Sequence, residues 1–171
     1  MEIQENIVNK VAQSGLLTFD LASLKSTAET AVYDIKDNLF QGLILREKDF
    51  RAFVKEHDWS VYAGKNVLIT CTADAIVPTW AYMLLANQLE PYAREVFFGS
   101  EETFEDLLFE RALVNLDMDR FKDQRVVVKG CGDIKIPTSA FITFTGKLSK
   151  VAKSIMYGEP CSTVPIFKRK S

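Results

Sequence analysis

A single histidine, three cysteines, five prolines and eight glycines are spread over 171 residues, and each scarcity closes off a class of protein. So few prolines and glycines, without a period, exclude a collagen-like repeat and a low-complexity tail. The cysteines, Cys71, Cys131 and Cys161, are odd in number and far apart, which does not fit the dense, even framework of a secreted disulfide scaffold. No window approaches the roughly 18 uninterrupted apolar residues that a membrane span requires. Neither sign of charge prevails: 21 Lys and Arg stand against 23 Asp and Glu, a net charge of -2. No global positive field is therefore available to hold nucleic acid or anionic lipid, and neither is expected as a partner. Glu2 and Glu5 lie where a secretory signal needs a basic stretch and then an apolar run. The expected compartment is the cytoplasm, with the cysteines as thiols. There is no Walker loop, no GxGxxG, no GxSxG and no HExxH, and a serine–histidine hydrolase would have to rely on His57 without any supporting motif.

What is present is a composition for a packed core: 47% hydrophobic and 11% aromatic residues. A chain of this length buries about 70% of its unfolded surface, and one domain over 1–171 is the expectation. Apolar spacing predicts an N-terminal helix within residues 1–15, short strands near 17–21 and 30–35, and a helix near 47–57 that carries Phe50, Phe53, Val54 and His57 on one face. Asn66–Thr70, Glu95–Phe98, Arg125–Lys129 and Thr163–Phe167 read as strands. Helices are expected up to Leu89, after Ser100 and after Pro137. Leu148, Val151, Ala152, Ile155 and Met156 form a further stripe at helical spacing. Residues 168–171 read as a solvated basic tail. Strands alternating with helices argue an α/β fold with a central mixed sheet and flanking helices.

Two stretches echo each other. Val67-Leu68-Ile69-Thr70-Cys71 runs on to Asp74 and Pro78-Thr79-Trp80-Ala81, and Val126-Val127-Val128-Lys129-Gly130-Cys131 runs on to Asp133 and Pro137-Thr138-Ser139-Ala140. Each reads as a strand, a cysteine loop and a helix opened by proline, where the missing N–H costs nothing. The Cys-to-Asp spacing differs by one residue. A thiol between the carboxyl end of a strand and the first turn of a helix lies near partial positive charge, which favours thiolate. The same rim is where open α/β sheets collect ligands. Cys161 follows a third break, Gly158-Glu159-Pro160.

Three loop thiolates could hold zinc, with Asp74, Asp133, His57 or water completing the shell, or an iron–sulfur cluster with one open iron. The absence of any CxxC pair makes this far less specific than a zinc ribbon. Alternatively the cysteines pack structurally in a protein-interaction module such as a homo-oligomer, or Cys71 or Cys131 serves a thiol-redox enzyme. His57 continues an apolar stripe, which favours a packed or helix-terminal ring over a ligand. Asp74 and Asp133 equally suit Asx turns that shape their loops.

The strings Phe40-Gln41-Gly42-Leu43-Ile44-Leu45-Arg46-Glu47-Lys48-Asp49-Phe50-Arg51, Asp74-Ala75-Ile76-Val77-Pro78-Thr79-Trp80-Ala81-Tyr82-Met83-Leu84 and Ser154-Ile155-Met156-Tyr157-Gly158-Glu159-Pro160-Cys161-Ser162-Thr163-Val164-Pro165 resemble a family of uncharacterised Bacteroidota proteins, domain-of-unknown-function family 2480. The resemblance covers nearly the whole chain and carries no established activity or catalytic residue. It implies a link to iron–sulfur cluster assembly, because genes of the family lie near those of the sulfur-mobilisation system. Iron–sulfur assembly proteins are therefore the expected partners.

Overall fold

The computed structural model describes residues 15–130, 132–159 and 161–170. Among these residues, seven strands and four α-helices alternate, so the α/β class holds. The strands do not share one central sheet. They form a three-stranded sheet ordered β2-β3-β4 and a four-stranded sheet ordered β1-β5-β6-β7. The chain accordingly divides into an inner unit, Thr27–Leu107, and an outer unit made of the segments before and after it.

The inner unit contains β2 (Thr30–Asp34), α1 (Glu47–Glu56), β3 (Asn66–Thr70), α2 (Thr79–Leu89), β4 (Glu95–Phe98) and the start of α3 (Phe104–Asn115). Its strands are all parallel. β3 is buried at every position, as the middle strand of a parallel sheet covered on both faces requires. α2 turns Ala81, Leu85 and Leu89 to one side at i, i+4 and i+8, and all three are fully buried. α1 buries Phe50 and Val54. Together with Tyr33, Ile35, Trp59, Val67 and Ile69 these residues form one continuous core.

The outer unit contains β1 (Leu16–Asp20), the rest of α3, β5 (Arg125–Lys129), α4 (Thr138–Leu148), β6 (Ser154–Glu159) and β7 (Ser162–Lys168). β1, β5 and β6 are parallel, and β7 returns antiparallel along β6. Phe19, Phe109, Phe121, Phe144, Leu148 and Ile155 lie at the centre of its core.

The two units repeat one another, and the echo in the sequence is a fragment of that repeat. Arg125 stands 59 residues after Asn66, Thr138 stands 59 after Thr79, and Ser154 stands 59 after Glu95, each pair opening equivalent elements. The strand registers coincide, Asn66 facing Glu95 as Arg125 faces Ser154. Arg94 N donates to Lys65 O at 2.8 Å, as Lys153 N does to Gln124 O at 2.8 Å. Even the left-handed residue before the middle strand recurs, as Gly64 (φ 71°) and Asp123 (φ 58°); aspartate is one of the few side chains that tolerate this region. The first strands match at a different interval. Asp20 and Asp34 end β1 and β2, and each caps a 3-10 turn, accepting from Ala22 N at 2.9 Å and Lys36 N at 3.1 Å. The inner unit is thus inserted into the outer one after the outer unit's first strand.

Two local expectations change. Val151 to Met156 do not continue a helix: α4 ends at Leu148 and β6 begins at Ser154. Pairing of β6 with β5 overrides the apparent helical stripe, because an apolar turn followed by a strand buries the same residues. Lys168 belongs to β7, and Arg169 is tied down, its Nη1 donating to Asp123 Oδ1 at 3.0 Å and its Nη2 to Lys150 O at 3.1 Å. The helix expected within residues 1–15 lies outside the described residues, apart from the turn at Gly15. Among the described residues no helix is long and apolar enough to cross a membrane.

Candidate functional site

In each unit the carboxyl ends of the parallel strands form the rim where the sequence places its candidate residues. In the inner unit, β2 ends at Asp34 and β3 runs into Cys71 and Thr72. Asp34 Oδ1 accepts from Thr72 N and from Lys36 N, both at 3.1 Å. Its Oδ2 accepts from Thr72 Oγ1 at 2.5 Å and meets Lys36 Nζ at 3.1 Å. Lys36 Nζ also donates to Thr72 Oγ1 at 2.9 Å. Burial pushes the Asp34 carboxyl up, but the Thr72 hydroxyl, the two backbone N–H groups and the Lys36 ammonium outweigh it and bring the pKa down to about 2. All four lone-pair directions of this carboxylate are taken, so it ties two strand ends together and has no free position to act as a base.

This tie has a signed pH dependence. The pKa falls from an ordinary 3.8 to about 2 on folding, so its stabilisation is fully present above pH 3.8 and is lost as pH falls through 2. Asp34→Asn is expected to cost roughly 1–2 kcal/mol near neutral pH, after allowing for solvent screening of a rim group. Urea midpoints of the two proteins should converge as pH falls from 3.8 to 2, and a gap that stays constant would contradict the assignment.

Cys71 is half-buried, and its thiol contacts Ala73 O at 3.5 Å. Tyr82 on α2 has its hydroxyl pKa raised, chiefly by burial and further by Cys71 and Asp34. In the outer unit the ends of β5 and β6 are joined by Lys129 Nζ and Glu159 Oε2 at 2.9 Å. Cys161 is exposed in the β6–β7 turn. Cys131 lies outside the described residues. Asp74 and Asp133 are both exposed, and they are counterparts under the interval of 59.

The cysteines are not counterparts. Counted along loops of equal length, Cys71 corresponds to Gly130. A Cβ at Gly130 would lie 2.3 Å from Phe141 Cζ and 2.7 Å from Cε1, so the ring of Phe141 fills the space a side chain would need. This explains the one-residue slip in the Cys-to-Asp spacing. Phe141 also packs edge-on to Tyr157 at 5.8 Å and lines an apolar pocket of about 260 Å³ with Thr138, Thr145, Met156 and Ile166. Gly130→Ala is expected to displace that ring and cost about 1–3 kcal/mol, read as a lower urea midpoint by far-UV circular dichroism.

His57 lies among aromatic rings. Its ring centroid is 4.6 Å from that of Trp59, 5.0 Å from Phe53, 6.1 Å from Tyr62 and 6.5 Å from Tyr33. Among the described residues no group of three or more His, Cys, Asp and Glu side chains could hold a metal ion.

Other features were not singled out from the sequence. The Asp34–Lys36–Thr72 tie joins residues 38 apart, and nothing in either segment signals the other. A pocket of about 460 Å³ in the outer unit is rimmed by Arg125, Lys153, Lys168 and Arg169. Its signal was in the sequence but averaged away. The inner unit has seven Lys and Arg against fourteen Asp and Glu, a charge of -7, and the outer unit has fourteen against nine, a charge of +5.

These features define a duplicated α/β protein with two strand-end rims of different chemistry. The chain belongs to the family described as Protein of unknown function (DUF2480), whose model matches residues 5–169. Comparison with curated proteins and with solved structures gave no match.

Proposed function

We propose that the protein is a non-enzymatic interaction module, an accessory protein whose outer unit docks onto an acidic surface of a partner. The observation that carries this reading is the opposite charge, -7 and +5, of two units with one fold. The repeated fold has no need of such a split, since its cores are alike and its charges are peripheral. Opposed potentials on related scaffolds steer encounter and select partners. The basic side chains Lys153 and Lys168 are exposed at the outer-unit pocket. Iron–sulfur assembly proteins are the partners to test first.

Calorimetric titration with those proteins should give binding that weakens steeply with salt and falls by about tenfold or more in Lys153→Glu/Lys168→Glu. Serine at Cys71, Cys131 or Cys161 should leave it unchanged. Binding indifferent to both salt and charge reversal would sink this reading. Salt-sensitive association of the chain with itself would instead make a second copy the partner.

A second reading, binding of zinc or an iron–sulfur cluster by thiolates, is supported by one observation. Lys129 and Glu159 pair at 2.9 Å across adjacent strand ends, and Cys131 and Cys161 each follow one of them by two positions in the chain. Protein purified without oxygen should then carry close to one equivalent of zinc, or iron with sulfide, and Cys161→Ser should lose it. Full occupancy in that variant would count decisively against a site built on Cys161.

A further inference from the structure

The inner unit has a pocket of about 340 Å³, lined by Tyr33, Asn38, Phe53, His57, Tyr62 and Asp37. Three properties define what it can hold. Its walls include the rings of Tyr33, Phe53, His57 and Tyr62, backed by Trp59, which stacks on Tyr33 at 5.7 Å and is tilted against Tyr62 at 6.1 Å. Ring faces carry the negative end of the aromatic quadrupole. Its polar groups are mainly acceptors: Asp37 is exposed at the rim, and Asn38 Oδ1 already accepts from Tyr33 Oη at 2.6 Å and has a second lone pair. Asp34 also borders the pocket, but its oxygens are committed to Thr72 and Lys36. Among the described residues no lysine or arginine lines it, and Lys65, which acts on Tyr62, is paired with Glu29 at 2.9 Å.

The third property is His57 Nε2, which is buried without a hydrogen-bond partner among the described residues. Leaving such an atom unsatisfied is costly, and in the tautomer with the proton on Nδ1 a donor arriving beside Nε2 relieves that cost. Phe53 is the most exposed of the rings around it, and a rotation of this side chain opens the way. Such rotamer changes are common on binding.

We propose that this pocket binds a protonated alkylamine, with the ammonium between the ring faces and Asp37 and its N–H groups directed to Asn38 Oδ1 and His57 Nε2. One positive charge with several donors satisfies the rings, the carboxylate and both acceptors together, which neither an anion nor a neutral apolar ligand does. Cation–π attraction strengthens as the cation is desolvated, and a recessed aromatic pocket supplies that condition. The ammonium could belong to a free diamine or to a lysine side chain, and these sources share the same contacts.

The chain has one histidine, so its imidazole resonances report this site without ambiguity. Titration with putrescine and with doubly blocked lysine, at about millimolar concentration, should shift the His57 resonances saturably with at least one of them. Stronger binding of putrescine assigns a free amine, and equal or stronger binding of blocked lysine assigns a side chain. Asp37→Asn changes an exposed carboxylate without disturbing the core and should weaken binding about tenfold. Tyr62→Leu should weaken it further while the fold is retained. Unmoved His57 resonances with both amines, an equal response to butyrate, or unchanged affinity in Asp37→Asn would each overturn the proposal.

Discussion

Replacing Phe144 with alanine is expected to lower the stability of the outer unit by about 3–5 kcal/mol, the range for deleting a fully buried aromatic ring. Phe144 is fully buried, with its ring centroid 5.1 Å from that of Phe19 on β1 and 5.5 Å from that of Phe121. Those rings come from opposite ends of the sequence, so the cavity would open where the two segments of the outer unit meet. Phe144→Leu is the sharper test. The counterpart of Phe144 is Leu85, also fully buried, so this scaffold already accommodates leucine at that position. The leucine variant should lose less than about 1.5 kcal/mol. Both tryptophans, Trp59 and Trp80, belong to the inner unit, whereas far-UV circular dichroism reports helices of both. If residues 1–171 unfold as one domain, Phe144→Ala should move the two signals together. Separate transitions would show that the units unfold independently.

The repeat also explains how much of this structure was legible in the sequence. Local pattern found nearly every described element, because Asn66–Thr70 and Arg125–Lys129 are short β-rich runs and Ala81, Leu85 and Leu89 mark one helix face. Pattern fails where partners are distant. Leu16 pairs with Arg125 across the whole inserted unit, so six of the seven described strands could be found but not assigned to two sheets. The same limit explains the misread stripe from Leu148 to Met156. Its spacing fits a helix, and only the register of Ser154 beside Arg125 makes part of it a strand.

The candidate site was less legible for related reasons. The cysteine echo drew attention to Cys71 and Cys131, yet the position equivalent to Cys71 is Gly130, where Phe141 leaves no room for a side chain. Asp74 and Asp133 are true counterparts but exposed. Overall charge suggested a neutral protein because an acidic unit and a basic unit were summed. His57 read correctly as the continuation of an apolar stripe, but the rings that enclose it come from β2, from α1 and from the turn at Trp59–Tyr62. A cage assembled from three elements leaves no local signature.

That cage makes Trp59 a consequential position in the inner unit. Its ring is 5% exposed, and Nε1 donates to Val54 O at 2.9 Å, joining the turn to the end of α1. Trp59→Ala removes the ring that stacks on Tyr33 and lies 4.6 Å from His57, and it leaves the Val54 carbonyl unpaired. The expected loss is about 3–5 kcal/mol, with alkylamine binding abolished because the pocket loses its backing. Trp59→Phe separates these contributions. It keeps an aromatic face against Tyr33 and His57 but cannot donate to Val54 O, so it should cost about 1–3 kcal/mol. It should retain most of the amine affinity, since Trp59 supports the pocket walls without lining them. Urea unfolding followed by circular dichroism and the His57 resonances measure the two effects separately. If Trp59→Phe keeps the stability and loses the amine, the indole itself contacts the ligand and the pocket extends deeper than its present lining.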